Sequence, residues 1–150
     1  MKNNLRPFPE ELQPGYYPFS TAVQLRFGDI DVNSHVNNVS VARLFEEGRL
    51  KFALCYRNTE YENMSASDEK LVVASSLINY IGEVFYPESV RIYLGVAEVG
   101  ASSFTQSCLM LQKGSPVAHS RVSLVRVDGG QSKPLSESLR KSLLSFKVGS

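Results

Sequence analysis

Arg26-Phe-Gly-Asp-Ile-Asp-Val-Asn-Ser-His-Val-Asn-Asn38, running straight into the apolar-periodic stretch Val39 to Leu54, decides how this chain is read. Before it, Thr21 to Phe27 alternates, with Val23, Leu25 and Phe27 on one face and Gln24 and Arg26 on the other, as a half-buried strand does. The polar turn between them carries Asp29, Asp31, His35 and three asparagines. It therefore delivers carboxylates to a helix N-terminus, where unpaired N–H groups favour negative charge on a substrate or a transition state.

The helix is expected from about Asn37 to Leu54. Val41, Leu44, Phe45, Gly48 and Phe52 make an i, i+3, i+4, i+7 stripe opposite a polar row of Ser40, Arg43, Glu47 and Lys51. Glu47 is spaced to pair with Arg43 or Lys51, and Asn37 or Asn38 to cap the start. Gly48 costs a helix interior about 1 kcal/mol against alanine, which a close approach of sheet backbone would explain.

Outward from this unit, residues 1–19 hold prolines at 7, 9, 14 and 18 with Phe8, Tyr16, Tyr17 and Phe19 between them. Proline removes donors and fixes the backbone, so this reads as an extended arm. Two readings stay open for it: packing on the domain or a second subunit, or a frayed terminus. Downstream, Arg57 to Lys70 has no period and reads as a loop or a short irregular helix. Strands follow at Leu71 to Ile81, Glu88 to Val99, Ser102 to Gln112 and Pro116 to Val127. Val99-Gly-Ala101 and Lys113-Gly-Ser115 are short enough for hairpins, and Asp128-Gly-Gly130 closes the last strand. Pro134 to Phe146 is expected as a surface helix with Leu135, Leu139, Leu143 and Phe146 on one side.

A strand, a long helix and four mostly antiparallel strands form an α+β chain that must bury the helix stripe against one face of its sheet. The expected fold is a hotdog: a five-stranded, mainly antiparallel sheet wrapped around one long central helix. Residues 20–150 are expected as a single domain behind the arm, and 150 residues suffice to bury roughly 70% of the unfolded surface.

The charges nearly cancel, at +1, and no basic stripe with interleaved aromatics marks a nucleic-acid partner. Cys55 and Cys108 have no zinc spacing and read as reduced packing cysteines of a cytoplasmic protein. No signal pattern or membrane-length apolar run is present, so the triplets Asn38-Val-Ser40 and Asn63-Met-Ser65 read as chance glycosylation matches.

Asp29-Ile-Asp31-Val-Asn-Ser-His35-Val-Asn-Asn38, then Phe45-Glu46-Glu47-Gly-Arg49, resembles the signature of the 4-hydroxybenzoyl-CoA thioesterase branch of the hotdog superfamily of acyl-CoA thioesterases. The similarity runs from about Thr21 to Phe146, and Val99-Gly-Ala-Ser-Ser-Phe104 looks like that branch's hairpin between the third and fourth strands. The resemblance implies hydrolysis of an acyl thioester, on CoA or on an acyl-carrier protein, without metal or organic cofactor. Asp31 then matches the catalytic nucleophile or general base, and the backbone N–H near Asn38 the donor to the thioester carbonyl. His35, Asn37 and Asn38 match turn-shaping or substrate-orienting groups. Glu46 and Arg49 match a structural pair, within or between subunits. Val41 lies in the acyl-pocket region, and Asn79 and Tyr80 are expected to approach the Asp31 turn of a partner in a homodimer, or a tetramer built from two dimers.

The chain departs from that pattern in three places. Ser34 stands where glycine is usual, Val41 where an aromatic is common, and Gly100-Ala101-Ser102 where some relatives grip the CoA nucleotide with arginines. Competing readings remain. Asp31 could simply cap the turn; His35 is a rival base, histidine being the side-chain type suited to proton transfer at neutral pH; Asp29 reads as structural, pairing with Arg26 or Arg49. His119 reads as a surface or pocket-edge residue. Ser102 and Ser103 lack the Gly-x-Ser-x-Gly elbow of a serine hydrolase. A dehydratase or hydratase on 3-hydroxyacyl or enoyl thioesters, and a non-catalytic thioester-binding module, are the alternatives to a thioesterase.

Overall fold

A computed structural model of the chain describes residues 5–64 and 69–150. Its strands are β1 (Phe19–Val23), β2 (Lys70–Tyr80), β3 (Val90–Val99), β4 (Ser103–Gln112), β5 (Ser115–Asp128) and β6 (Gln131–Ser132). The helices are α1 (Asn38–Tyr56), the four-residue α2 (Tyr61–Met64) and α3 (Glu137–Leu144). The sheet runs β1-β3-β4-β5-β2 with every neighbouring pair antiparallel, and the two-residue β6 adds to β5 beyond the five expected strands. Register shifts at Val73/Ser75, Val96/Glu98 and Met110/Leu111 curl it around α1. This is the expected hotdog fold.

α1 begins where Asn37, in extended backbone, accepts the N–H of Ser40 at 2.9 Å through its side-chain oxygen. It ends two residues beyond the expected limit in a Schellman turn: Asn58, at φ +50°, donates to the Cys55 carbonyl and Thr59 to that of Leu54. The predicted stripe is buried, with Phe52 at its centre against Phe19, Tyr56 and Phe146 at centroid distances of 5.1, 5.1 and 5.5 Å. Gly48 does mark a close approach, to a side chain rather than to backbone: a Cβ there would lie 3.1 Å from Ile92 Cγ2.

β1 ends at Val23, four residues short of the expected limit. The alternation continues by coincidence. The Arg26 N–H bonds the Asp29 carboxylate at 2.8 Å and turns the chain, leaving Leu25 buried and Phe27 78% exposed. The expected loop from Arg57 to Lys70 contains α2, and its residues 65–68 lie outside the described residues. The C-terminal helix is shorter than expected, capped by Ser136, with Leu139 and Leu143 buried.

Among the described residues the arm packs. Leu12, Tyr16 and Tyr17 cover Leu109 and Leu111 on the sheet face opposite α1. Beneath the arm, Glu11 is ion-paired with Arg121, Ser107 Oγ lies 3.1 Å from Glu11 Oε1 and 2.9 Å from His119 Nε2, and the Tyr17 hydroxyl lies 3.0 Å from Ser107 Oγ. His119 is 1% exposed, not the surface or pocket-edge residue expected, because the arm roofs it.

Candidate active site

Two backbone conditions build the turn. Ser34 sits at φ +63°, a left-handed conformation that glycine adopts without steric cost; the Ile30–Val36 bridge closes the loop on itself and the His35–Phe85 bridge ties it to the segment after β2. Asp31 stands at the base of this loop: its N–H reaches the His35 carbonyl at 2.9 Å and its Oδ1 accepts the Asn33 N–H at 2.8 Å. Oδ2 has no protein partner among the described residues, and the side chain is exposed.

The start of α1 completes the arrangement. Asn37 takes the N–H of Ser40 on its side chain and that of Val41 on its carbonyl. Asn38 and Val39 are the next two residues, and their N–H groups have no acceptor inside the helix. Asp31, Asn37, Asn38, Val39 and Ser40 line one open cavity of about 600 Å³ with Gly28. A carboxylate with a free oxygen thus shares a cavity with a helix terminus whose donors are unengaged, the pairing needed to activate an oxygen and stabilise an oxyanion.

Asp29 is the turn's anchor. Burial raises its carboxyl pKa, but the Arg26 N–H and the Arg43 guanidinium, 2.7 Å away, outweigh this and hold it below the usual carboxylate value. Arg26 also lies 3.6 Å from Asp29, whereas the partner across the fold is Arg43 rather than Arg49. Arg43 also reaches Glu47 at 3.2 Å, as the helical spacing predicts. Lys51 instead donates to the Ala22 carbonyl at 3.1 Å.

The remaining expected residues fall in different places. His35 Nδ1 is 3.4 Å from Glu83 and its ring meets Phe85 edge-on at 5.2 Å, at the rim of the turn. Val41 is buried in the core behind the helix, so its side chain does not line the cavity as expected. Asn79 faces the arm, donating to the Leu5 carbonyl at 2.9 Å, because strand alternation puts it beside His119 on the outer face; its expected place in an acyl pocket is not supported. Tyr80, one residue on, is 52% exposed. No bond joins Glu46 to Arg49 among the described residues. Cys108 is no candidate nucleophile: burial pushes its thiol pKa up to about 12, against a smaller opposing pull from Arg49.

Two side chains were not expected at the site. Arg43 had a signal, since it belongs to the polar row of α1 one turn inside the cap. Gln106 had a clearer one, a polar residue at an inward position of β4 between Phe104 and Cys108. Both line a larger cavity of about 800 Å³ on the flank of α1. Among the described residues no group of three or more His, Cys, Asp or Glu is placed to hold a metal, and no helix is long and apolar enough to cross a membrane.

A curled antiparallel sheet holding a long helix, with an exposed carboxylate at that helix's start, defines a hotdog protein of the thioesterase-like kind. Residues 25–143 match the Thioesterase-like superfamily, and the chain belongs to that family. It is 31% identical over 122 residues to the uncharacterized protein YsmA of Bacillus subtilis (strain 168), covering 80% of each chain. The PA5185 protein of Pseudomonas aeruginosa strain PAO1 shares its fold with a TM-score of 0.80 at 22% identity, over 90% of this chain and 95% of that one. A thioesterase from Thermus thermophilus, solved in complex with coenzyme A and zinc, gives 0.75 at 24% identity, over 87% and 94%. Family membership supports acyl thioester hydrolysis as the chemistry; the structural likenesses, at these identities, speak for the fold.

Proposed function

We propose that the protein hydrolyses acyl-CoA thioesters, or the same acyl groups on a carrier protein, to free acid and thiol. The supporting observation is the shared cavity: the free Asp31 oxygen and the unengaged N–H groups of Asn38 and Val39 border the same space. A thioester carbonyl set against the helix start would be polarised there, each donor contributing ~3–4 kcal/mol in the transition state. Asp31 then attacks the carbonyl carbon, or takes a proton from the attacking water. A positioned base supplies ~10²–10⁴ in rate. His35, paired with Glu83, shapes the turn and is the rival base. CoA as the thiol carrier fits the coenzyme A held by the Thermus relative. The motif from Asp29 to Arg49 favours the 4-hydroxybenzoyl-CoA branch within the family. The two unpaired cysteines fit a reducing, cytoplasmic setting.

The test is Asp31→Asn, which keeps size and hydrogen bonding but can neither attack nor accept the proton. Thiol release from acyl-CoAs of graded chain length and from aryl-CoAs is expected to fall at least tenfold, in a protein with unchanged unfolding behaviour. Retention of more than a tenth of kcat would remove Asp31 from the role and send the test to His35→Ala. Absorbance of enoyl thioesters, run alongside, would expose a hydratase or dehydratase; silence in both assays with binding retained would mark a binding module.

A further inference from the structure

α1 packs on β1 and β3 and leans away from the other half of the curled sheet. The gap is the cavity of about 800 Å³, bounded by Arg43, Leu50, Ala53 and Tyr56 on the helix and by Val73 and Leu124 on the sheet. Its end at Arg43 adjoins the Asp31 turn, because the Arg43 guanidinium holds Asp29. The sheet side, Leu71, Val73 and Leu124, is apolar, as an acyl group requires, whereas the helix side also carries Arg43, Glu46, Glu47, Arg49 and Arg57. The exception on the sheet side is Gln106.

Gln106 is 1% exposed, and neither its Oε1 nor its Nε2 has a hydrogen-bond partner among the described residues. Native interiors leave few buried polar groups unpaired, and each asks for a reason. Strand alternation turns Gln106 inward with Phe104 and Cys108, opposite Val96 and Val122. Ser120 of β5, directly across from Cys108 and so diagonal to Gln106, is fully buried on the same face, and its Oγ also has no partner among the described residues. Gln106 thus puts an orphaned amide on the apolar sheet wall of the cavity, with a second orphaned group, Ser120, beside it on the neighbouring strand.

We infer that Gln106 is the specificity-determining residue of this cavity, and that the acyl group it accepts carries a hydroxyl or oxo substituent. The inference rests on the thioesterase reading and names its substrate class. The amide offers one donor edge and one acceptor edge. A hydroxyl satisfies both in turn, and a saturated hydrocarbon satisfies neither. Sites built to bond a substrate hydroxyl reject the analogue lacking it, because their own buried groups are then left unpaired.

The experiment measures kcat/KM for matched CoA thioesters, aliphatic and aryl, with and without a hydroxyl at successive positions, in wild type and in Gln106→Met. Methionine keeps the unbranched shape without the amide. Wild type is expected to favour one hydroxylated member over its deoxy partner at least tenfold, and Gln106→Met to bring that ratio below threefold. A merely structural amide would shift both members of a pair together and leave the ratio, which would overturn the inference; so would a wild type with no preference. If wild type releases thiol from no member, the thioesterase reading falls. The Gln106 side-chain amide NMR signals, titrated with the free hydroxy acids, then decide separately: a shift keeps Gln106 as the reader of a bound hydroxy acid, and no shift sinks it.

Discussion

Asn38 can be tested by a substitution its own backbone invites. Proline lacks the N–H and is well tolerated at the first position of a helix, and Asn37 before it, at φ −76° and ψ 165°, already has the extended backbone that a residue preceding proline adopts. Asn38→Pro is therefore expected to keep α1 and to lower kcat by about 10²-fold, the loss typical of one oxyanion donor. Asn38→Ala, which keeps the N–H, is expected to retain substantial activity, since Asn37 and not Asn38 is the cap. Thiol-release kinetics on both variants check the claim. Full activity in Asn38→Pro, or a deep loss in Asn38→Ala, would contradict it. The motif carried this much at the residue scale: Asp31, His35 and the asparagines stand round the helix start. Side-chain direction was harder to read. Val41 was expected at the site from its place in the first helical turn and Asn79 from across a partner's edge, but helical phase turns one into the core and strand alternation turns the other outward to the arm.

At the scale of the element, the arm's hold on the sheet is expected to depend on pH. Burial pushes the pKa of His119 down to about 4; the Glu11 carboxylate opposes this and Arg121 adds to it. A histidine depressed in the folded state is stabilising above its unfolded pKa of about 6.5, and that contribution is lost as pH falls from there toward 4, at about 1.4 kcal/mol per unit inside the window. Glu11 changes in the same sense lower down: burial raises its carboxyl pKa, but Arg121 and the Phe8 N–H outweigh this and hold it below normal, so its contribution fades as pH falls through its folded value. The denaturant midpoint of the wild type is expected to fall between pH 7 and pH 5, and His119→Gln, which cannot take up the proton, to flatten that slope. Equal slopes would show that the buried pair does not govern the effect. The prolines and aromatics made an arm legible, yet not its partner. The Glu11–Arg121 pair joins residues 110 apart in sequence, and no local pattern marks such a contact. The long strands and hairpins were legible because their alternation is local, as in the Lys113-Gly114 turn, where both residues take positive φ.

At the scale of the whole molecule, a single copy leaves both end strands of its sheet, β1 and β2, paired on one side only among the described residues, and β2 is the longer. Among the described residues β2 pairs only with β5, so its other side presents unpaired backbone groups there, and Val73 at 50% and Tyr80 at 52% exposure stand along it. Such an edge templates pairing unless it is covered. A second copy joined there by a two-fold axis would extend the sheet and bring Tyr80 of one chain toward the Asp31 turn of the other, with each site drawn from both chains. Sedimentation at micromolar concentration is expected to give a dimer, or a tetramer of two such dimers. Complementation makes the shared site testable. Asp31→Asn and Tyr80→Ala chains, each impaired alone, are unfolded together and refolded as an equal mixture. Half of the dimers would then be mixed, and each would contain one site with both residues native, restoring about a quarter of wild-type activity for a two-fold dimer. Tyr80 is the residue to use, because Asn79 beside it is bonded to its own arm. A fully active monomer, or a mixture no more active than its two components, would rule out a site built across the β2 edge.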